Sequence, residues 1–290
     1  MKRFFRFTCG LAVLASSVAV AATAAPAAKV TPAAKTASAA KGTPAAKAEP
    51  AATLMPVTNI SAAQIVEMNV AARGGLAAWR AVSAITMSGQ IDAGGKNNAT
   101  LPFVMTMKRP HKSRFELRFS EQTAVQVYDG TQGWKVRPFL NRNEVEPYTL
   151  AEAKLAAASW ELDGPLVDYA SKGTKVELLG MDTVEGKGAY KLKLTLKGGE
   201  QRNLWVDAKS FLELKIDGDP RKMDGKMRTV AIYYRDYKTE KGLTVPRVLE
   251  TVVQGYKQTR KISIQSVAVN QPVDDALFAK PQLLVKASGQ

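Results

Sequence analysis

The chain has 290 residues, a formal net charge of +15, one histidine and one cysteine. With His111 and Cys9 alone of their kinds, histidine or thiolate metal centres and disulfide frameworks are excluded as organising features. A basic balance of this size favours anionic partners, such as lipid headgroups or an anionic membrane surface.

In chain order, Lys2, Arg3 and Arg6 precede an apolar stretch from Phe7 to Val20, followed by small-x-small sites at Ala19-Val20-Ala21 and Ala22-Thr23-Ala24. This is the pattern of a cleaved secretory signal, and the run is too short to span a bilayer. Residues 1–24 are read as that signal, which places the mature chain in the periplasm; Cys9 leaves with it. Residues 25–58 repeat Ala-Ala-Lys every six residues, at Lys29, Lys35, Lys41 and Lys47, with interspersed prolines. Lacking large apolar side chains, the segment is predicted to be a disordered tether.

Residues 59–282 carry the folded domain. Ser61 and Gln64 form a capping box ahead of a helical stripe through Ile65, Met68, Ala71 and Ala72, and Gly74-Gly75 breaks it. A further turn or two runs from Leu76 to Val82. From Ile85 the period becomes two, as in Phe103, Met105, Met107 and in Phe115, Leu117, Phe119. Val125, Val127, Trp134 and Val136 continue it around the Tyr128-Asp129-Gly130 turn. Thr149 and Glu152 cap a helical interlude through Trp160, and Leu166 to Tyr169 is predicted to add a short helical turn after Asp163-Gly164-Pro165. Strands then resume near Lys175 and run to Val269, with Tyr190 to Leu196, Leu204 and Val206, then Leu212, Leu214 and Ile216 among them. The expectation is a mainly β fold with some α: about 11 antiparallel strands in an incomplete (half) β-barrel, with helices covering the open apolar face. Residues 283–290 are predicted to be a flexible tail.

No Gly-x-Ser-x-Gly elbow or phosphate loop is present, and Asp163 and Asp274-Asp275 read as turn and cap residues, so an enzyme is not expected. No cofactor and no metal are expected either. Phe103, Met105, Met107, Phe115, Phe119 and Trp134 share the apolar face, and Trp160 and Leu166 join them from the interlude. These side chains read either as an ordinary core or as the wall of a groove for acyl chains. Arg109 shares the parity of Phe103, Met105 and Met107, so its guanidinium points inward in need of carbonyl acceptors, unless Pro110 ends the strand and leaves it at the rim.

Several segments resemble the LolA/LolB-like superfamily of outer-membrane lipoprotein-sorting proteins. They are Lys108-Arg109-Pro110 with Phe115, Asp129-Gly130 with Trp134 and Pro138-Phe139, Gly242-Leu243-Thr244-Val245-Pro246, and Asn270-Gln271-Pro272 through Phe278-Ala279-Lys280-Pro281. Ala72-Arg73-Gly74-Gly75 and Asp163 through Tyr169 look like a less characterised branch of it. The resemblance implies a half-barrel with a helical lid, Arg109 as the lid latch, and a periplasmic carrier for lipid or lipoprotein acyl chains. A possible envelope protein partner and docking to an anionic membrane surface are implied as well; nucleic acid is not. The chain differs from the carrier in its tether and in Ser113, where the carrier has an aromatic residue. The alternative is an envelope regulatory or scaffold module that senses lipid or binds a partner without transport.

Overall fold

The computed structural model describes residues 60–94, 99–138, 142–159 and 162–282. The expected signal, tether, C-terminal tail and Trp160 lie outside these.

Among the described residues, period-two sequence becomes thirteen strands in a single sheet, antiparallel throughout. The first is central: β1 (Ala84–Gly94) pairs with β2 (Ala99–Lys108) on one side and with the last strand, β13 (Arg260–Val269), on the other. One wing continues through β3 (Lys112–Phe119), β4 (Gln122–Tyr128), β5 (Gly133–Arg137) and β6 (Arg142–Pro147). The other runs outward through β12 (Leu243–Val253), β11 (Lys226–Glu240), β10 (Glu213–Met223), β9 (Gln201–Asp207), β8 (Lys187–Thr195) and β7 (Lys175–Val184). The sheet stays open, with β6 and β7 as its edges.

A sheet this wide curls. Phe103, Met105 and Phe115 of one wing and Leu192, Leu204 and Ile232 of the other belong to one buried cluster, so the two wings close around a shared concave face. That cluster also takes in Ile65, Val66 and Val70 of α1 (Ala62–Ala72), Trp79 of α2 (Leu76–Arg80), and Leu166 and Val167. A third helix, α3 (Leu150–Ser159), lies against β5, with its N-terminal Thr149–Glu152 box formed as the sequence suggests. Helices therefore cover the apolar face of a half-barrel.

Three local readings change. The strand count rises because β6, Arg-Asn-Glu-Val-Glu-Pro, has no apolar alternation; it is an edge strand held by Arg137 and Arg142 on Glu146. Leu166 to Tyr169 forms turns instead of a helix, since Asp168 has φ 50°, a left-handed backbone that helices do not accept. Leu212, Leu214 and Ile216 do not share a face. A register shift between Glu213 and Lys215 turns Glu213 and Ile216 inward, and Leu214 packs on the outer face with Trp205, Val184 and Ala189. That small outer cluster is capped by the ammonium groups of Lys191 and Lys215 over the Trp205 ring, so this wing is not simply wet outside.

The chain after β13 returns across the convex side. Asn270 Oδ1 accepts from Ser83 N and its amide donates to Ala81 O, pinning the exit of β13 to the entry of β1. Asp274 caps a single 3-10 turn, Asp275–Phe278, which buries Phe278 near β3. Lys108 and Lys112 both reach Asp275 (2.7 and 2.8 Å), and Arg114 donates to Leu277 O (3.1 Å). These bonds hold the Asp275 carboxyl down at about 2, chiefly through the two lysines. Its folded value lies below the unfolded ~3.9, so the contact supports the fold above that pH and is lost as the pH falls toward 2. A carboxyl-carbon NMR titration should give Asp275 a midpoint near 2; a midpoint near 4 would show the tail undocked.

Candidate functional site

The cover is fixed at one end of the barrel, where α1 ends, α2 turns back and β2 stops. Ile65, Val66, Asn69 and Val70 bury one side of α1, and the Ser61–Gln64 box sets its start. Gly74 follows with φ 114°; a Cβ there would lie 2.1 Å from Gly242 O, so only glycine lets this corner meet the β11–β12 turn. Thr244 N donates to Arg73 O across the same contact (3.0 Å). The Trp79 indole also donates to Arg73 O (3.0 Å), while the Arg73 guanidinium lies 4.5 Å over the Trp79 ring. α2 is thereby folded onto the end of α1.

Arg109 joins this corner to the sheet. Its backbone N donates to Ser83 O (2.9 Å), Nε to Val82 O (2.8 Å), and Nη2 to Trp79 O (3.1 Å) and to Asp163 Oδ2 (2.6 Å). Carbonyls at a helix C-terminus lack intrahelical donors, so a guanidinium both satisfies them and complements their partial negative charge. The side chain is 37% exposed, at the rim of the barrel. The strand has ended by Arg109, which sits at the rim, and its guanidinium turns to backbone carbonyls there.

Asp163 is the hub that sequence reasoning passed over as a turn residue. It is 2% exposed, accepts from Lys172 Nζ at Oδ1 (2.6 Å) as well as from Arg109, and its own carbonyl accepts from Arg73 Nη1 (2.9 Å). Lys172 also donates to Gly164 O (2.7 Å). Arg73 extends the network to Glu213 (3.3 Å), whose carboxylate and carbonyl both accept from the Tyr237 hydroxyl (3.0 Å each). Burial, then the Glu213 charge, pushes the Tyr237 phenol well above its ordinary range, so it stays a donor. On the outside, Arg80 makes a two-pronged pair with Asp168 (2.6 and 3.0 Å), and this bond holds the Asp168 carboxyl below its usual range. Four cations and three carboxylates thus tie α1, α2, residues 163–172, the end of β2 and β10 together.

The sequence-predicted apolar residues divide. Phe103, Met105, Met107, Phe115 and Leu166 are buried together on the concave face under the helices, with the Phe103 and Phe115 rings stacked at 6.0 Å. Phe119 ends β3 with the same parity but is 52% exposed. Trp134 falls on the other face: it stands opposite Val127, which stands opposite the outward Arg114. The inward position of that strand is Lys135, buried and held by Glu152 of α3 (2.5 and 2.6 Å). Arg247 also alternates inward between Val245 and Leu249; its Nη2 binds Glu240, and its buried Nε and Nη1 have no hydrogen-bond partner among the described residues. Glu213 and Arg247 left no distinct trace in the sequence pattern, and Arg73 appeared there only within the Ala72–Gly75 segment.

Among the described residues no helix is long and apolar enough to cross a membrane, and no three His, Cys, Asp or Glu side chains gather as a metal site.

The sequence matches no known family model and no curated protein. Its fold matches solved structures. A LolA superfamily protein from Nitrosomonas europaea superposes with TM-score 0.51 at 14% identity, over 77% of this chain and 99% of that one. A DUF1329 family protein from Desulfovibrio piger gives TM-score 0.52 at 15% identity, over 76% and 98%. The protein therefore has the LolA-like half-barrel fold.

Replacing Asp163 by Ala would leave Lys172 and Arg109 without their carboxylate in a buried setting. Stability should fall by about 3 kcal/mol, the low end for breaking a buried pair because Arg109 keeps some solvent. Denaturant unfolding reads this out, and a loss under about 1 kcal/mol would make the hub a minor contact.

Proposed function

We propose that the protein is a cell-envelope carrier that binds the acyl chains of a lipid or lipoprotein on the concave face, beneath the helical cover, and performs no chemistry on them. The observation that carries this reading is the position of Arg109. One guanidinium holds carbonyls at the end of α2 and the Asp163 carboxylate, and Met107, Met105 and Phe103 of the strand that leads into it are buried in succession on the concave face. A polar clasp at the rim of a buried apolar face is what a cover that opens and recloses requires. The LolA-like fold and the secretory pattern at residues 1–24 support the setting, and outer-membrane lipoprotein sorting is the role we assign within it.

The energetics need such a clasp. Each buried methylene is worth about 0.8 kcal/mol, so a long chain gains on the order of 10 kcal/mol, too much for ready release. Hydrogen bonds to a charged group contribute about 1.5–3 kcal/mol each, and Arg109 makes several that favour the closed, empty state. Opening for cargo forfeits them, and reclosing recovers them, so net affinity falls and hand-over becomes possible. Phe103, Met105, Met107, Phe115 and Leu166 would line the chain, with Phe119 at the open edge and Arg109 as latch. Met side chains suit a guest of variable shape.

Arg109→Leu tests this directly. In a vesicle-to-vesicle assay with fluorescent phospholipid, the variant should still take up lipid but deliver it at least tenfold more slowly. Transfer at the wild-type rate would refute the latch.

A further inference from the structure

The middle of the concave face carries a guanidinium whose hydrogen-bonding capacity the closed protein leaves unused. β12 alternates strictly, and its inward positions run Leu243, Val245, Arg247, Leu249. Register sets Arg247 well inside that face. Val248 stands opposite Ser263, so the next pair in register brings Arg247 level with Ile264, which stands opposite Gly89, itself opposite Phe103. Phe103 precedes the latch Arg109 by six residues, on the order of 20 Å of extended chain.

Arg247 is 5% exposed. Its Nη2 binds Glu240, whereas Nε and Nη1 are enclosed with no hydrogen-bond partner among the described residues. Both nitrogens are donors only, so whatever meets them must bring acceptor oxygens. Left unmet on a face built from Val245, Leu249 and Ile264, they cost free energy. The cover shows the same condition. Thr244 N donates to Arg73 O, so the end of α1 meets β12 three residues before Arg247. Asn69, one turn earlier on α1 and fully buried, donates from Nδ2 to Phe211 O (2.7 Å) and leaves Oδ1 without a partner, as Arg73 leaves Nε. Unused polar atoms thus occur on both the cover and the sheet.

Charge narrows what suits Arg247. The Glu240 carboxylate already matches it. A free fatty acid would bring a second carboxylate beside the first, and like charges repel strongly away from water. An ester or amide carbonyl oxygen accepts the same hydrogen bonds without that charge.

We propose that Arg247 recognises the carbonyl oxygen of an ester- or amide-linked acyl chain on the concave face. The inference rests on the carrier reading and adds which acyl chains are taken: those in a neutral linkage, in preference to free fatty acids. The unmet donors raise the free energy of the closed, empty state, so Arg247 favours loading while the bonds of Arg109 favour reclosure.

Displacement of N-phenyl-1-naphthylamine, an uncharged probe that fluoresces in apolar surroundings, tests this on the full protein. Three competitors of equal chain length are ranked at a pH of about 8: 1-monolauroylglycerol, its ether analogue 1-O-dodecylglycerol, and laurate. The ester should bind about tenfold more tightly than the ether, which differs only in lacking the carbonyl oxygen, and more tightly than laurate. Arg247→Met should remove the ester's margin and leave the affinity for the ether unchanged. Glu240→Gln, which keeps the guanidinium and takes away its counter-charge, should bring laurate level with the ester or above it. Thermal unfolding checks both variants, and the ranking in the unaltered protein and in Glu240→Gln decides even if Arg247→Met fails to fold. Equal binding of ester and ether by the unaltered protein would overturn the carbonyl site and leave the carrier reading standing. A margin that survives Arg247→Met, or laurate binding more tightly than the ester to the unaltered protein, would overturn the assignment as well. Displacement by none of the three would overturn both readings.

Discussion

The architecture depends on how a helical cover is tied to a curved sheet that would otherwise leave its apolar face open. The tie is electrostatic and sits at one end. Arg109 spans from the last residue before Pro110 to the carbonyls of α2 and to Asp163, and Arg73 and Lys172 reach the same acidic residue from α1 and from the loop beyond α3. Elsewhere most of the contact is non-directional and apolar, from Ile65, Val66, Trp79 and Leu166, with Asn69 donating to Phe211 O and Lys135 pairing with Glu152 of α3 as further polar ties. Apolar contact can be exchanged for an acyl chain at little cost, because the guest offers the same surface that the helices remove. Directional bonds cannot be exchanged in that way, so they set the balance between closed and open.

This arrangement also explains why charges are buried here at all. A well-packed apolar replacement is often as stable as a buried ion pair, so burial of Asp163 and Arg73 argues for specificity of position more than for strength. Gly74 makes the same point in backbone terms: the corner closes onto Gly242 only because nothing projects from it. At the Arg109 end, cations are matched by Asp163 and Glu213 and hold protein to protein.

Much of the fold was legible because a half-buried sheet writes its period into the sequence. Phe103, Met105 and Met107 alternate without interruption, and they do share one face. Errors arose where counting stops being valid. The Ser120–Glu121 turn resets parity, so Val127 and, opposite it, Trp134 stand on the outer face although they read like their neighbours. A register shift beside Glu213 hid an inward carboxylate within what looked like Leu212, Leu214, Ile216 alternation. Asp163 resembled any Asp-Gly-Pro turn, because its three cationic partners are separated from it by 9, 54 and 90 residues in the chain. Such convergence is a property of the topology and has no local signature.

The most direct test of the account measures whether the cover moves about its polar tie. Spin labels at the exposed Ala77 of α2 and at Glu121 beyond β3, in a chain with Cys9 replaced by Ser, report their separation by double electron–electron resonance. The account predicts one narrow distance for the empty protein, and a longer, broader one both with bound fatty acid and with Arg109→Leu alone. The same narrow distance in all three states would mean that the helices are a fixed part of the core, and the carrier account would fall with them.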